Sequence, residues 1–382
     1  MVKNPSLPPL SLYIHFPWCI QKCPYCDFNS HQVKNAIPEA DYIDALLADL
    51  QHELELFDRP RKLHSIFMGG GTPSLFSPSS LSRLLAGINQ LLSVDTACEI
   101  TLEANPGTFE SSKFQAFRVL GINRLSIGIQ SFNDQHLQAL GRIHNAEEAI
   151  KAVGIALDSG FDNLNLDLMF GLPKQSEAEA LNDVQTALLL KPTHISFYQL
   201  TLEPNTLFHK FPPILPNDES IFSTQHACQE LLAEYGYTQY EISAYAQNGY
   251  QCRHNRNYWQ FGDYLGIGAG AHGKISRDIP SDIVRTVKPK SPDQYLREPT
   301  VSIRESIAID QLPLEFVMNH LRLNSGFTLD DYRHSTGLGL DSLEPALTQC
   351  LEQKLLLRQQ QRIYCSEKGW DFLDDILEKF IA

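Results

Sequence analysis

Short apolar runs alternate with amphipathic segments six times in the first half of this chain, and this alternation limits the fold more than any other feature. The apolar runs, which predict strands, cover residues 12–16, 65–68, 99–102, 124–129, 163–168 and 194–200. The segments between them repeat apolar residues at helical spacing, as in 41–56. Strands and helices in regular alternation predict parallel βα units, arranged as a barrel or as an open sheet.

Polar side chains stand at or just beyond the ends of four of these runs. They are Glu103, Gln130, Asp167 and Gln199. In βα barrels, the side chains that contact ligands gather at the C-terminal ends of the strands. Each of these residues alone could simply satisfy the backbone groups of a loop, but their repetition favours a ligand site.

Three cysteines come directly after the first predicted strand at the spacing Cys19-x3-Cys23-x2-Cys26. Three thiolates on one loop can hold one metal centre, and a four-iron cluster held by three thiolates keeps one iron open to a small ligand. A structural zinc site is the alternative, and it would need a fourth ligand, for which His15 and His31 are candidates. The other cysteines are scattered, and most of them are expected to be small buried hydrophobic residues: Cys98, Cys228, Cys252, Cys350 and Cys365.

Two glycine clusters are distinguished by the residues on their C-terminal sides. The first, residues 69–71, ends the second predicted strand and continues as Thr72-Pro73. Its glycines allow the backbone to approach a ligand closely, although a tight turn would also use them. The second cluster, residues 266–273, contains a G-x-G-x-x-G pattern, but no helical pattern comes after it. A dinucleotide site needs that helix, so the second cluster is not expected to bind NAD.

The last third of the chain forms a separate pattern. Periodicity fades over residues 274–299, which predicts a linker or a surface excursion. Helices are then predicted over 313–323, 329–334 and 342–353, strands over 355–357 and 362–364, and a helix after Ser366. Thr328 and Asp331 form a predicted capping box. This order of elements resembles a winged helix.

The C-x3-C-x2-C spacing is the signature of the radical S-adenosylmethionine (SAM) superfamily, which this chain resembles from about residue 12 to 199. In that superfamily the methionine part of SAM chelates the open iron, and an electron from the cluster cleaves the sulfonium to give a 5′-deoxyadenosyl radical. The resemblance implies an α/β fold with a partial (β/α)6 barrel, a [4Fe-4S] cluster on the three cysteines, and a low-potential electron donor. The predicted domains are this barrel over 1–240, a barrel-closing and linker segment over 241–300, and a winged-helix-like α+β unit over 301–382.

Three motifs narrow the resemblance to the oxygen-independent coproporphyrinogen III oxidase group. They read YIHFPWC at 13–19, RLSIGIQSF at 124–132 and DLMFGLP at 167–173. Carried over by motif position, the residues that would line the SAM pocket are Tyr13, Tyr25, Gly70, Gly71, Thr72, Glu103, Gln130, Arg142 and Asp167. The carboxylates of Glu103 and Asp167 can accept hydrogen bonds from the ammonium or ribose hydroxyls of SAM. The guanidinium of Arg142 can pair with the carboxylate of SAM.

Two departures separate the chain from the oxidases of that group. The oxidases continue the cysteine motif with a fourth cysteine, where this chain has Phe28, and they have a longer segment before the cluster motif, where only 18 residues precede Cys19. In both respects the chain resembles the heme-chaperone branch of the group, the HemW family. The segment CRHNRNYW at 252–259 adds to this resemblance, since the His-Asn-x-x-Tyr-Trp pattern is associated in that branch with heme.

Heme binding can also be argued from the residues themselves, although less strongly. His254 is the candidate iron ligand, and Tyr258 and Trp259 could stack on the macrocycle. A histidine among aromatic residues is more often a hydrogen-bonded structural residue, which is the alternative for His254. His272, in the second glycine cluster, is a competing candidate for the ligand.

Composition excludes several classes of partner and location. The formal charge of −14, and the 12 acidic against 7 basic residues from Asp310 onward, argue against nucleic acid and anionic membranes as partners. No run of about 18 apolar residues predicts a transmembrane helix. Prolines at positions 5, 8 and 9 interrupt any secretion signal, so we expect a cytoplasmic protein with mostly reduced cysteines.

The expected function is that of a heme chaperone, which binds heme and passes it to an acceptor protein while carrying a [4Fe-4S] cluster and SAM. The alternative is an enzyme that oxidatively decarboxylates the propionates of coproporphyrinogen III. A zinc-stabilised binding protein is a third interpretation.

Overall fold

The computed structural model describes residues 7–56, 61–108, 111–279 and 282–381. Its strands, in chain order, are β1 (Leu10–Phe16), β2 (Trp18–Cys19), β3 (His31–Gln32), β4 (Lys62–Gly70), β5 (Ser93–Ala104), β6 (Arg124–Gln130), β7 (Leu164–Phe170), β8 (His194–Gln199), β9 (Thr238–Glu241), β10 (Ala244–Ala246), β11 (Asp263–Ile267), β12 (His272–Asp278), β13 (Asp282–Val287), β14 (Ile303–Ser306), β15 (Phe327–Thr328), β16 (Leu356–Gln359) and β17 (Arg362–Cys365).

Its helices are α1 (Glu39–Glu53), α2 (Pro78–Leu91), α3 (Ser111–Val119), α4 (Asp134–Ala139), α5 (Ala146–Asp158), α6 (Glu177–Leu189), α7 (Leu207–Lys210), α8 (Asp218–Glu234), α9 (Arg253–Trp259), α10 (Pro292–Arg297), α11 (Leu312–His320), α12 (Leu329–Thr336), α13 (Ala346–Glu352), α14 (Glu367–Asp371) and α15 (Leu373–Glu378). All six strands predicted in the first half of the chain are present, as β1, β4, β5, β6, β7 and β8.

The main sheet has seven parallel strands at its centre, in the order β11-β1-β4-β5-β6-β7-β8. Antiparallel strands extend it at both ends, β10 and β9 beyond β8, and β12, β13 and β14 beyond β11. Within the described ranges β8 does not pair with β1, so the six βα units form a partial barrel, as predicted.

The strands at the centre of the sheet are buried along almost their whole length because helices pack on the sheet. Every residue of β6 is buried, and so are six of the seven residues of β1 and of β7. Helix α1 packs into the same core through Ile43, Leu46 and Leu50. Helix α5 begins at a capping box in which Asn145 and Glu148 bond each other's backbone N–H groups.

The predicted linker over 274–299 was wrong. Its residues form β12 and β13, which extend the main sheet, and helix α10. Two lysines in this range are buried, and each pairs with a carboxylate. Lys274 Nζ lies 3.2 Å from Asp263 Oδ1, and Lys288 Nζ lies 2.6 Å from Glu53 Oε1. Pro280, within that predicted linker, and residues 1–6, which include the predicted signal-interrupting Pro5, lie outside the described residues.

The C-terminal unit has its own hydrophobic core, built around Phe316, Tyr332 and Ile363. Its elements run from α11 to α15, and β15, β17 and β16 form a three-stranded sheet, which completes a winged-helix-like order. The predicted capping box of Thr328 and Asp331 begins α12. The helix predicted over 342–353 is shorter, because the chain forms a separate 3-10 turn before Pro345 and α13 comes after it.

No helix within the described ranges combines the length and the hydropathy that crossing a membrane requires.

The core of the C-terminal unit also includes Phe261 and Ile283, which come from the predicted middle segment. The bounds of the three predicted domains remain predictions.

Candidate functional site

The three spaced cysteines lie on the loop after β1. All three are free thiols and half-buried. A turn in which the Cys26 backbone N–H donates to the Cys23 carbonyl holds the second and third together, and Cys19 lies in β2, which pairs with β3. Burial raises the pKa of the Cys19 and Cys26 thiols, so both are protonated at neutral pH unless a metal binds them.

This donor set suits a cluster better than a single ion. Across the described ranges no three histidine, cysteine, aspartate or glutamate residues converge closely enough to hold one metal ion. The predicted fourth ligands for zinc are engaged elsewhere, because His15 bonds Tyr13 Oη and Asn29 O at 2.9 Å, and His31 bonds the Asn29 side chain. A four-iron cluster spreads its thiolates more widely than zinc does, so three thiols along one wall fit it.

A cavity of about 130 Å³ lies beside the thiols, at the C-terminal ends of the parallel strands. Its lining includes all three cysteines and seven of the nine residues predicted for SAM, namely Tyr25, Gly70, Gly71, Glu103, Gln130, Arg142 and Asp167. We call it the thiol cavity. The topology therefore brings together residues that are up to 148 positions apart, as the strand-end pattern predicted, while their roles as ligands remain predictions.

Two carboxyl groups lie on the wall of the thiol cavity. Glu103 Oε2 accepts a hydrogen bond from the Gly70 backbone N–H at 3.0 Å. Burial, and secondarily the charge of Asp167, raises the pKa of Glu103 to about 8. Asp167 accepts hydrogen bonds from Asn165 at 2.7 Å and from Ser126 at 3.2 Å, and burial raises its pKa as well. The pair offers acceptors to a ligand that carries N–H or O–H donors.

A guanidinium group is fixed on the same wall. Arg142 Nη2 donates to Asn105 Oδ1 at 2.5 Å and to the Gly128 carbonyl at 2.6 Å, and Nη1 lies 3.8 Å from Cys23 Sγ. These partners hold the arginine beside the cysteine loop with its charge intact. A ligand carboxylate near the thiols would find its partner there.

Gly71 allows two chain segments to approach closely. A Cβ at this position would lie 2.5 Å from the Trp18 carbonyl oxygen and 2.7 Å from that of Phe16. The backbone N–H groups of Gly71 and Thr72 donate to those same two carbonyls, which binds the end of β4 to the cysteine loop. The glycine is therefore required by the chain itself, whatever ligand it also contacts.

Two residues predicted for SAM do not line the thiol cavity. Thr72 lines a small recess beside it, where its hydroxyl accepts a hydrogen bond from Asn105 at 2.8 Å. Tyr13 lines a different cavity, described below. Gln199, one of the polar strand ends, does not line it either, whereas the preceding residue Tyr198 does and donates to Gln130 Oε1 at 2.7 Å. Successive side chains of a strand point to opposite faces, so Tyr198 and Gln199 do not face the same side.

A second cavity of about 390 Å³ lies next to the first. Aromatic and cationic side chains dominate its lining, which includes Tyr13, Phe28, Tyr258, Trp259, Tyr264, His272 and Arg285. We call it the aromatic cavity. Phe28, which is 59% exposed, lines both cavities and so forms a shared wall between them.

The predicted heme residues divide between this cavity and the core. Tyr258 and Trp259 line the aromatic cavity, but His254 does not and is only 2% exposed. Its ring stacks on Phe67, with centroids 4.7 Å apart, and meets the edge of Tyr258 at 4.4 Å. Neither ring nitrogen has a hydrogen-bond partner among the described residues, and burial lowers the pKa of His254 to about 3. The competing candidate, His272, does line the cavity.

Comparisons with known proteins agree with this architecture. Residues 13–187 match the model of the radical SAM superfamily, and residues 309–372 match that of the HemN C-terminal domain. The chain is 49% identical to the heme chaperone HemW of Haemophilus influenzae and 46% identical to that of Escherichia coli, in each case over 99% of both chains. It is 34% identical to the bovine mitochondrial radical S-adenosyl methionine domain-containing protein 1, over 97% of this chain and 87% of the relative.

Among solved structures, the chain is similar to the coproporphyrinogen III oxidase HemN of Escherichia coli. The TM-score is 0.82 at 22% sequence identity, over 99% of this chain and 91% of the oxidase. A likeness at this identity speaks to the fold alone. The predicted fold, a partial radical SAM barrel with a C-terminal winged-helix-like unit, is confirmed.

Proposed function

Because this chain belongs to the HemW family of radical SAM proteins, we propose that it binds heme and passes it to an acceptor protein, and that it carries a [4Fe-4S] cluster and SAM. The observation that carries the proposal is the pair of adjacent cavities. One presents three free thiols with two carboxyl groups and a guanidinium, and the other presents aromatic rings with an accessible imidazole.

The cluster and SAM are assigned to the thiol cavity. Cys19, Cys23 and Cys26 would hold the cluster, which leaves one iron open. When bound, cluster and SAM together supply a one-electron route to a 5′-deoxyadenosyl radical. Glu103 would accept a hydrogen bond from a donor group of SAM, and Arg142 would pair with its carboxylate.

Heme is assigned to the aromatic cavity as cargo. The rings of Tyr258, Trp259 and Tyr264 provide an apolar surface of the kind on which a macrocycle packs. A cavity of about 390 Å³ lies in the range of pockets that enclose small organic ligands. Its open mouth and exposed wall at Phe28 suit a ligand that must leave again. An acceptor protein for heme and a low-potential electron donor for the cluster are the partners that this assignment requires.

The oxidase alternative depends on precise positioning of the substrate. Radical abstraction requires the substrate carbon to be held close to the 5′ carbon, since a misplacement of about 1 Å can cost about a hundredfold in rate. Phe28 stands where the oxidases have an additional cysteine, on the wall between the two cavities. A heme carrier needs only an iron ligand and an aromatic surface, and the aromatic cavity has candidates for both.

The test compares both activities in one preparation, purified anaerobically and reconstituted with iron and sulfide. We expect stoichiometric heme binding, transfer of heme to an added apo-hemoprotein, and no protoporphyrinogen from coproporphyrinogen III with SAM and a low-potential reductant. Multiple-turnover formation of protoporphyrinogen would assign the oxidase instead. A preparation with neither heme binding nor turnover would contradict both functions.

A further inference from the structure

We propose that a low-potential electron carrier with an acidic surface docks on the face of the barrel around the cysteine loop, and that it delivers one electron at a time to the cluster there. This inference deepens the proposed function and rests on it. The face consists of residues 19–26, 140–144 and 204–217, and we call it the cysteine-loop face. The juxtaposition that carries the proposal is a group of exposed apolar and cationic side chains on segments that bond directly to that loop.

Two chain segments contact the cysteine loop. The backbone N–H of Phe208, in α7, donates to the Pro24 carbonyl at 3.0 Å. The Gln21 side chain donates to the Gly141 carbonyl at 3.1 Å, and a Cβ on Gly141 would lie 2.8 Å from the Pro24 ring. Since Pro24 follows Cys23 in the chain, α7 is one hydrogen bond and one residue away from a thiol that the proposed cluster requires.

Large apolar side chains are exposed on α7 and just after it. Leu207 is 59% exposed, Phe211 66% and Ile214 73%. Leu207 and Phe211 are four positions apart across the turn of α7, so they lie on the same side of it. Phe208 packs inward instead, with its ring centroid 6.4 Å from that of Tyr25. Single exposed apolar residues are ordinary, but three within eight positions form a patch of the kind that contacts another molecule.

Cations surround this patch, although the chain as a whole has a formal charge of −14. The cysteine-loop face contains Lys22, Arg142 and Lys210 and no acidic residue. A further exposed cation, Lys174, lies beside the patch, because its backbone N–H donates to the Ile214 carbonyl at 3.2 Å. Acidic residues follow at the ends of the segments, at Asp27, Glu203 and Asp218. The face therefore attracts a partner with an acidic surface, which the net charge of the rest of the chain repels.

The position of the face favours an electron carrier over the heme acceptor. Among the described residues, none of 140–144 or 204–217 lines the aromatic cavity, to which heme is assigned, whereas Cys23 and Arg142 line the thiol cavity. An electron needs no open path to the cluster, because it can pass through the loop. The carrier is oxidised by one electron and the [4Fe-4S]2+ cluster is reduced to [4Fe-4S]+. Transient electron-transfer interfaces are small, and an apolar centre with a charged rim suits them.

The test compares protein reductants with a small one. The full-length protein, reconstituted anaerobically, is mixed with reduced flavodoxin or reduced plant-type ferredoxin, both acidic one-electron carriers, or with dithionite. The loss of the cluster's visible absorbance gives the rate. Phe211→Ser combined with Ile214→Ser should be reduced about tenfold more slowly by the carriers, because the apolar centre of the interface is lost. Dithionite needs no docking surface and should reduce the wild-type protein and the variant at equal rates.

Lys210→Glu tests the charge of the face. It should slow reduction by the carriers about tenfold at low ionic strength, and added salt should narrow the difference from the wild-type protein, because salt screens exposed charges. The matched controls are Leu189→Ser and Lys191→Glu, which replace an exposed apolar residue and an exposed lysine. Both lie just before β8, at the edge of the sheet opposite the cysteine loop, and both controls should keep the wild-type rate.

Equal rates with the carriers in the wild-type protein and in the variants of the face, or equal slowing with dithionite, would overturn the docking surface. Slower transfer of heme to an apo-hemoprotein with unchanged cluster reduction would assign the face to the acceptor instead. A wild-type protein that dithionite reduces and neither carrier does would also contradict the inference, while the proposed function would stand. A wild-type protein without a reducible cluster would contradict the cluster assignment of the proposed function itself.

Discussion

The backbone N–H of Gly70 donates a hydrogen bond to the carboxyl group of Glu103 at 3.0 Å, between the ends of two neighbouring parallel strands. This contact joins the first glycine cluster to the first polar strand end, 33 positions further along the chain. It also fixes an acceptor on the wall of the thiol cavity before any ligand arrives. The proposed SAM site can therefore be tested by substitution of this one carboxyl group.

Removal of the Glu103 carboxylate should weaken SAM binding. We expect Glu103→Ala to lower SAM affinity by about 1–3 kcal/mol, the usual cost of a lost charge-assisted hydrogen bond, and to leave iron content unchanged. Calorimetric titration of the reconstituted protein measures the loss. Glu147→Gln, on an exposed helix position, is the control, and equal SAM affinity in the wild-type protein and Glu103→Ala would place the pocket elsewhere.

SAM affinity should also depend on pH through Glu103. Its pKa is raised to about 8, chiefly by burial, so the carboxyl is mostly protonated at pH 7 in the free protein. A donor group of SAM requires the ionised form, whose fraction rises as the pH increases through 8, so binding releases a proton below that pH. We expect the affinity of the wild-type protein to rise between pH 6.5 and 8.5 more steeply than that of Glu103→Gln. Parallel profiles would remove Glu103 from the site.

The cluster assignment predicts a brown, oxygen-sensitive protein with about four irons per chain. Replacement of Cys19, Cys23 or Cys26 by alanine should abolish the iron and the colour, because three thiolates are the minimum for this cluster. Cys98→Ala, a buried cysteine in β5, should retain both. Iron analysis after anaerobic reconstitution decides the matter, and a colourless protein with stoichiometric zinc would exclude a cluster.

Gly71→Ala should disturb the cysteine loop as well as any ligand. Its Cβ would press on the carbonyls of Trp18 and Phe16, and such overpacking costs about 1–3 kcal/mol of unfolding free energy. Gly154→Ala, in helix α5 with open space around its Cβ, should instead be stabilising by about 0.5–1 kcal/mol. Urea unfolding compares the two, and a neutral Gly71→Ala would show that the close approach is dispensable.

The buried lysine just after β13 should be essential for stability. Lys288 is 1% exposed and bonds Glu53 at 2.6 Å as well as Asp49, both fully buried. Lys288→Met would leave Asp49 without its cation and Glu53 with Arg304, whose Nη2 lies 3.4 Å away, and breaking a buried ion pair typically costs about 3–5 kcal/mol. The exposed Lys290→Met should change the unfolding free energy by less than about 0.5 kcal/mol. If both variants unfold at the same urea concentration, the ion pairs contribute nothing.

The sequence was sufficient for the barrel because buried parallel strands are marked by continuous apolar runs. All six runs became strands, and Thr328 and Asp331 formed the predicted cap. The cysteine spacing and strand ends also located most of the thiol cavity, since parallel strands bring their C-terminal ends to one edge.

The failures share one physical cause, which is that exposure depends on contacts far along the chain. Lys288 lies in the range predicted as a linker but is buried, because its carboxylate partners lie 235 and 239 positions earlier. The roles of His254 and His272 toward heme remain predictions, and what the structure adds is that His254 is 2% exposed whereas His272 lines the aromatic cavity. Tyr198 was overlooked because it precedes the polar strand end rather than forming it.

Phe28 lies on the walls of both cavities, so the two sites share one exposed ring. An occupant that shifts this ring in one cavity alters the shape of the other cavity. The two occupants therefore have a free energy of interaction with each other. Loading the cluster first and heme second must then cost the same in total as the reverse order, and each occupant must change the affinity of the other by an equal factor. A single aromatic residue thus links the affinities of the two occupants.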